Sequence, residues 1–205
     1  MNWHLDGCFP VSSEPGQPGE PCTMEDYDAS GLDSCAAGSM CYNVTEETLQ
    51  GTCFALCEGT LGNPSCADSD ALCDIQYNGA LPLCKQPCDP LEDSCPEGEG
   101  CYPFGDFTNF SCALDKSDVT DVPGLAGDEC EFINHCAPGL VCFEQPFFFG
   151  CDTDLFGCCT EFCDLDDPAP DGGCSLADQV CIPWHLEGEV VPEGLENVGF
   201  CYVDG

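Results

Sequence analysis

Residues 88–112 read CDPLEDSCPEGEGCYPFGDFTNFSC, four cysteines separated by six, five and ten residues. The same spacing logic recurs along the chain. Cys22, Cys35, Cys41 and Cys53 form one set; Cys57, Cys66, Cys73 and Cys84 a second; Cys88, Cys95, Cys101 and Cys112 the third. Cys130, Cys136, Cys142 and Cys151 form a fourth, and Cys163, Cys174, Cys181 and Cys201 a fifth. In every set the second interval is five or six residues, and Cys8, Cys158 and Cys159 fall outside. A repeat of this length is one small supersecondary unit, and it sets the fold before any strand is assigned.

Three regularities strengthen the repeat. The short interval reads AAGSM (36–40), PEGEG (96–100) and APGLV (137–141), each with a central glycine suited to the positive φ of a tight turn. Tyr42, Tyr102 and Phe143 follow the third cysteine of their sets. The first and fourth sets are each introduced by Gly and an acid, Gly19-Glu20 and Gly127-Asp128.

The chain has 205 residues, 23 of them cysteine, and 39 Asp plus Glu against 2 Lys plus Arg, for a formal charge of −37. No surface of it can neutralise a phosphate backbone, which excludes nucleic-acid binding as a role. Cysteine at this density marks a disulfide scaffold. Thiolate metal sites favour two cysteines spaced by two residues, and that spacing occurs nowhere here. Oxidised pairs are expected, and with them an extracellular, cell-surface or periplasmic location. Residues 1–10 (MNWHLDGCFP) show neither the basic start nor the apolar run of an export signal, so an exported chain is expected to have lost a leader there. No apolar run is long enough to span a bilayer.

Glycine and proline, 23 and 17 residues, interrupt every stretch that could show helical periodicity. The expected fold is small and disulfide-rich: a tandem array of short β-hairpin, loop-dominated modules with little helix. Hairpin arms are predicted at 39–43, 74–77, 99–102, 140–143, 179–182 and 199–203. Residues 1–21 read as an extended N-terminal segment and 22–112 as three modules. Residues 113–129 (ALDKSDVTDVPGLAGDE) have the composition of a linker, and 130–205 holds two more modules with an excursion at 186–197. Units of this size rarely stand without crosslinks. One bond closing a loop of about 15 residues is worth on the order of 3 kcal/mol. Four cysteines allow three pairings per set.

The third set resembles the first four cysteines of an epidermal-growth-factor-like module, truncated to four. That resemblance covers mainly the third set, where it implies first-to-third and second-to-fourth bonds, Cys88–Cys101 and Cys95–Cys112. Of the three pairings open to each other set the same one is expected: Cys22–Cys41 and Cys35–Cys53, Cys57–Cys73 and Cys66–Cys84, Cys130–Cys142 and Cys136–Cys151, Cys163–Cys181 and Cys174–Cys201. Over most of its length, through GEPC (19–22), CKQPCDPLEDSCPEGEGC (84–101), DECEFINHCAPGLVC (128–142), GCCTEFCD (157–164) and CIPW (181–184), the chain is similar to a group of exported cysteine-rich bacterial proteins of unknown role. Members of that group often carry the label ribulose-phosphate epimerase. That enzyme needs an eight-stranded α/β barrel, and no alternation of strands and helices is present here.

His4, His135 and His185 accompany no nucleophile motif, so no catalytic residue is assigned. Asp164, Asp166, Asp167 and Asp171 crowd one stretch and Asp68, Asp70 and Asp74 another, so the candidate cofactor is Ca²⁺, with the first group as its oxygen ligands. Phe147, Phe148 and Phe149 are a candidate binding surface. Phe104, Phe107 and Phe110 are expected to cover disulfides. Asn43 and Asn109 begin glycosylation sequons. The cysteine count is odd, so one thiol is free or bonded to another chain unless its partner was lost upstream; Cys8, outside the sets, is the candidate for a covalent dimer or assembly. The expected role is structural, adhesive or binding, toward a protein or cell-surface partner. A calcium-binding module and a secreted epimerase or hydrolase are the alternatives.

Overall fold

The computed structural model describes residues 11–25, 32–60, 62–76, 81–92, 94–105, 107–119, 123–144, 156–169 and 173–203. Among them there is no α-helix, and fourteen short strands pair antiparallel. The molecule is small and disulfide-rich, a series of loop-dominated hairpins. The chain divides into two units, Met1–Gln86 and Pro87–Gly205.

In the first unit, β1 (Pro21–Thr23), β3 (Gln50–Ala55) and β2 (Ser39–Thr45) form a sheet in the order β1-β3-β2. Two further hairpins follow, β4 (Glu58–Thr60) with β5 (Asn63–Ser65) and β6 (Leu72–Gln76) with β7 (Leu81–Lys85). In the second unit, β8 (Glu99–Phe104) pairs with β9 (Asn109–Leu114). A five-stranded sheet then runs β10 (Glu129–Cys130), β12 (Gly157–Asp164), β14 (Val198–Val203), β13 (Gln179–Pro183), with β11 (Leu140–Glu144) also on β12. Strand β12 is shared: residues 157–161 pair with β11 and residues 162–164 with β14. It welds the fourth hairpin to the fifth.

In four of the five sets a left-handed residue inside the short cysteine interval turns the chain into the hairpin. Gly38, Gly98 and Gly139 take φ of 81°, 84° and 86°, each three residues before the third cysteine of its set. Behind each, a main-chain N–H closes the turn, as in Glu99 to Pro96 O at 2.9 Å. In the fifth set the equivalent place holds Asp178, φ 64°, one of the few side chains tolerated there. The strand then opens directly into the third cysteine.

The linker expected at 113–129 lies inside the second unit, and the division falls between Gln86 and Pro87 instead. Composition misleads because main-chain bonds hold this segment: Lys116 N–H to Asn134 O at 2.9 Å, and Gly127 N–H to Cys159 O at 2.8 Å. Gly124, φ 68°, passes so close to the His135 carbonyl that a Cβ there would collide with it. The third module therefore belongs with the fourth and fifth, not with the first two. Residues 184–197 are the loop joining β13 to β14, where an excursion was expected.

The two units are stabilised differently. Buried apolar side chains of the first unit are Cys22, Cys35, Cys41, Cys53 and Leu83 among the described residues. The second has a hydrophobic cluster of Cys101, Phe110, Val141, Phe162, Leu195 and Val198, with Trp184 and Phe143 packed against it. Trp184 meets Phe110, Phe162 and Phe200 at centroid distances of 5.4, 5.5 and 5.8 Å. Tyr102, buried, donates its hydroxyl to Cys136 O at 2.8 Å.

Candidate functional site

The built feature of the chain is the sulfur cluster of each hairpin. Third and fourth cysteines stand directly opposite each other: Cys41 and Cys53, Cys73 and Cys84, Cys101 and Cys112, Cys142 and Cys159, Cys181 and Cys201. Opposed residues of an antiparallel pair point to the same face. Both sulfurs therefore leave one side of the hairpin and bond the preceding loop rather than each other. The bonds are Cys22–Cys41, Cys35–Cys53, Cys57–Cys73, Cys66–Cys84, Cys88–Cys101, Cys95–Cys112, Cys130–Cys142, Cys136–Cys159, Cys163–Cys181 and Cys174–Cys201. In all five, the sulfurs of the first, second and fourth cysteine lie within 4.8 Å of one another. Close approach of three sulfurs suits a metal only as thiolates; as disulfides they are crosslinks.

One pairing is a correction. Cys136 is bonded to Cys159 and not to Cys151, so Cys159 is the fourth cysteine of the fourth set. The signal was in the sequence: Cys53 precedes Cys57, Cys84 precedes Cys88 and Cys159 precedes Cys163 with the same three-residue spacer. Cys158 is disulfide-bonded as well. It is the neighbour of Cys159 on β12, so its side chain leaves from the opposite face of the strand.

The acidic candidates are held in separate local roles. Asp164 accepts the Asp166 N–H and the Asn197 amide, each at 2.9 Å, and Asp167 accepts the Ala169 N–H at 2.8 Å. Groups of three or more potential ligands within 4.8 Å are all cysteine among the described residues, so Asp164, Asp166 and Asp167 do not converge. Asp171 lies outside the described residues, as do Cys8 and Phe147, Phe148 and Phe149. Asp68 accepts from Asp70 N–H and the Gln86 amide at 3.0 and 3.2 Å. Asp74 is buried in an ion pair with Lys85 at 2.9 Å.

His135 stacks edge-on against Phe132 at 4.9 Å. His185 is buried with neither ring nitrogen hydrogen-bonded, and Gln179 is buried with its amide likewise unpartnered. Neither histidine has a hydrogen-bonded carboxylate among the described residues. Of the aromatics expected to cover disulfides, Phe110 is in the core beside Cys101, while Phe107 is half exposed. Trp184, Phe162 and Phe200, which close that core, carry no periodic signal in the sequence.

No family model, curated protein or solved structure matches this chain. Fold and site define it as a disulfide-stabilised array of hairpins. Ten described disulfides belong to an oxidising environment, extracellular or periplasmic. Among the described residues no helix is long and apolar enough to cross a membrane.

Proposed function

We propose that this is an exported or cell-surface protein with a structural, adhesive or binding role and no catalytic activity. The observation that carries the reading is the identical two-bond staple in all five hairpins. Buried positions go to the staples and, in the second unit, to a core shared by its modules, and the remaining surface is left for contact. The test is paired. The oxidised chain is screened for turnover of ester, glycoside and sugar-phosphate substrates and digested with protease before and after reduction. No turnover, with resistance to protease lost on reduction, is expected; turnover proportional to enzyme concentration overturns the reading.

Cysteine arithmetic adds an assembly. With twenty cysteines in ten bonds and Cys158 bonded, Cys8 and Cys151 remain of the 23. One of them is the partner of Cys158, and the other has none within the chain. Cys151, seven positions from Cys158, closes the shorter loop and is the assigned partner. Cys8 is then the candidate for a bond to a second copy, to a surface or to a cysteine outside these 205 residues. A non-reducing gel of Cys8→Ser lacking the dimer band of the parent supports this; a Cys8–Cys158 peptide in a non-reduced digest overturns it.

A further inference from the structure

Among the described residues the two most exposed large apolar side chains are Leu186 and Val190, 70% and 88% exposed, and both stand on the loop between β13 and β14. Single exposed aliphatics are ordinary on a protein surface. This pair is different because the loop under it is built. Leu186 donates its N–H to Glu189 Oε2 at 2.7 Å and accepts the Glu189 N–H at 3.1 Å, so the two apolar residues flank one closed turn, with Gly188 at φ 96°. Trp184 N–H to Val198 O at 3.0 Å anchors one end of the loop, and Val191 and buried Leu195 pack into the core at the other. The Asn197 amide ties the return to Asp164. His185, directly before Leu186, is buried with both ring nitrogens unpartnered. The loop is ordered by the fold itself, so presenting it adds little to the cost of binding.

Charge decides what it meets. Glu187, Glu189, Glu193 and Glu196 share the loop with the two aliphatics, on a chain of net charge −37. An anionic bilayer or nucleic acid is repelled. A second copy offers no better fit, since Lys85 is buried against Asp74 and Lys116 is the one lysine left at the surface. We propose that residues 184–197 form a docking finger for a partner protein whose apolar pocket is rimmed by Lys or Arg. The proposal rests on the binding role above and names the face and the partner that role would use.

The test pans a displayed random-peptide library against the immobilised, oxidised full chain. Selected peptides are then titrated against the parent, the double variant Leu186→Ser with Val190→Ser, and Val11→Ser as an exposed apolar control in the first unit. Both loop substitutions keep the charge, and hydrogen exchange confirms the fold. Selected peptides rich in Lys or Arg and apolar residues, binding the double variant at least tenfold more weakly and the control unchanged, are expected. Equal binding to parent and double variant means attraction by charge alone and overturns the finger while leaving a binding role intact. A concentration-dependent dimer lost in the double variant also overturns it, in favour of a second copy. Catalytic turnover in the screen above is the separate result that would remove the binding role itself.

Discussion

Trp184 donates its indole N–H to the main-chain carbonyl of Phe107 at 2.7 Å, across 77 residues. The bond ties the turn of the third hairpin to the end of β13, and the indole ring fills the space among Phe110, Phe143, Phe162 and Phe200. Trp184→Ala removes both the bond and the ring. It should destabilise the second unit by about 3 kcal/mol. Hydrogen exchange should accelerate in peptides from 87–205 and stay unchanged in those from 1–86. Equal acceleration in both would mean that the aromatic core does not define the second unit.

Lys85 and Asp74 form an ion pair buried in a hairpin with almost no other core. Removing Lys85 leaves the buried Asp74 carboxylate without its counter-charge, so Lys85→Met should cost about 3 to 5 kcal/mol. Lys85→Met with Asp74→Leu should recover most of that. Denaturant titration of the two variants distinguishes a paired charge from one the fold does not need.

The Tyr102 phenol is pushed well above its ordinary value of 10.0, first by burial and then by the Asp115 carboxylate. Below pH 10 the phenol is neutral in both folded and unfolded chains and the fold keeps this contribution in full. As pH rises past 10 the unfolded chain releases the proton first, so stability falls. The slope should be smaller in Tyr102→Phe. Short denaturant titrations from pH 9 to 11 measure it; identical slopes would show that the phenol is not held neutral by the fold.

The parts of this fold that are covalent or stereochemical were legible in the sequence. Four cysteines at recurring intervals announced the hairpins, and in three of the five sets Gly38, Gly98 and Gly139 occupy the left-handed turn positions expected of them. Each predicted arm overlaps an observed strand. Cys159 was hidden because the longer interval after Cys142 was read to the nearest cysteine; the three-residue spacer before Cys163 was the better guide. The division at Gln86 was not legible either. It follows from packing among Phe110, Phe162 and Trp184, residues far apart in sequence, while residues 113–129 look like a linker by composition although bonds such as Lys116 N–H to Asn134 O and the Asn134 amide to Leu114 O tie their described part down. Of the candidate Asp ligands, Asp164 and Asp167 each accept a nearby main-chain N–H, a local effect that a count of acids cannot reveal.

The acidity itself should act through screening. With 39 acids and two lysines, self-repulsion opposes the compact state, so melting temperature should rise as NaCl increases from 10 to 500 mM. Ca²⁺ and Mg²⁺ at equal ionic strength should raise it alike. A rise specific to Ca²⁺, reversed by chelator, would instead point to a dedicated site.

Intact mass spectrometry of the oxidised chain, unfolded in guanidinium without reductant and treated with iodoacetamide, tests the central claim that disulfides hold the hairpins in shape. At most one label per chain is predicted, and a non-reduced digest should contain Cys136 joined to Cys159. Labelling of most of the 23 cysteines, with the folded protein unchanged, would contradict the account.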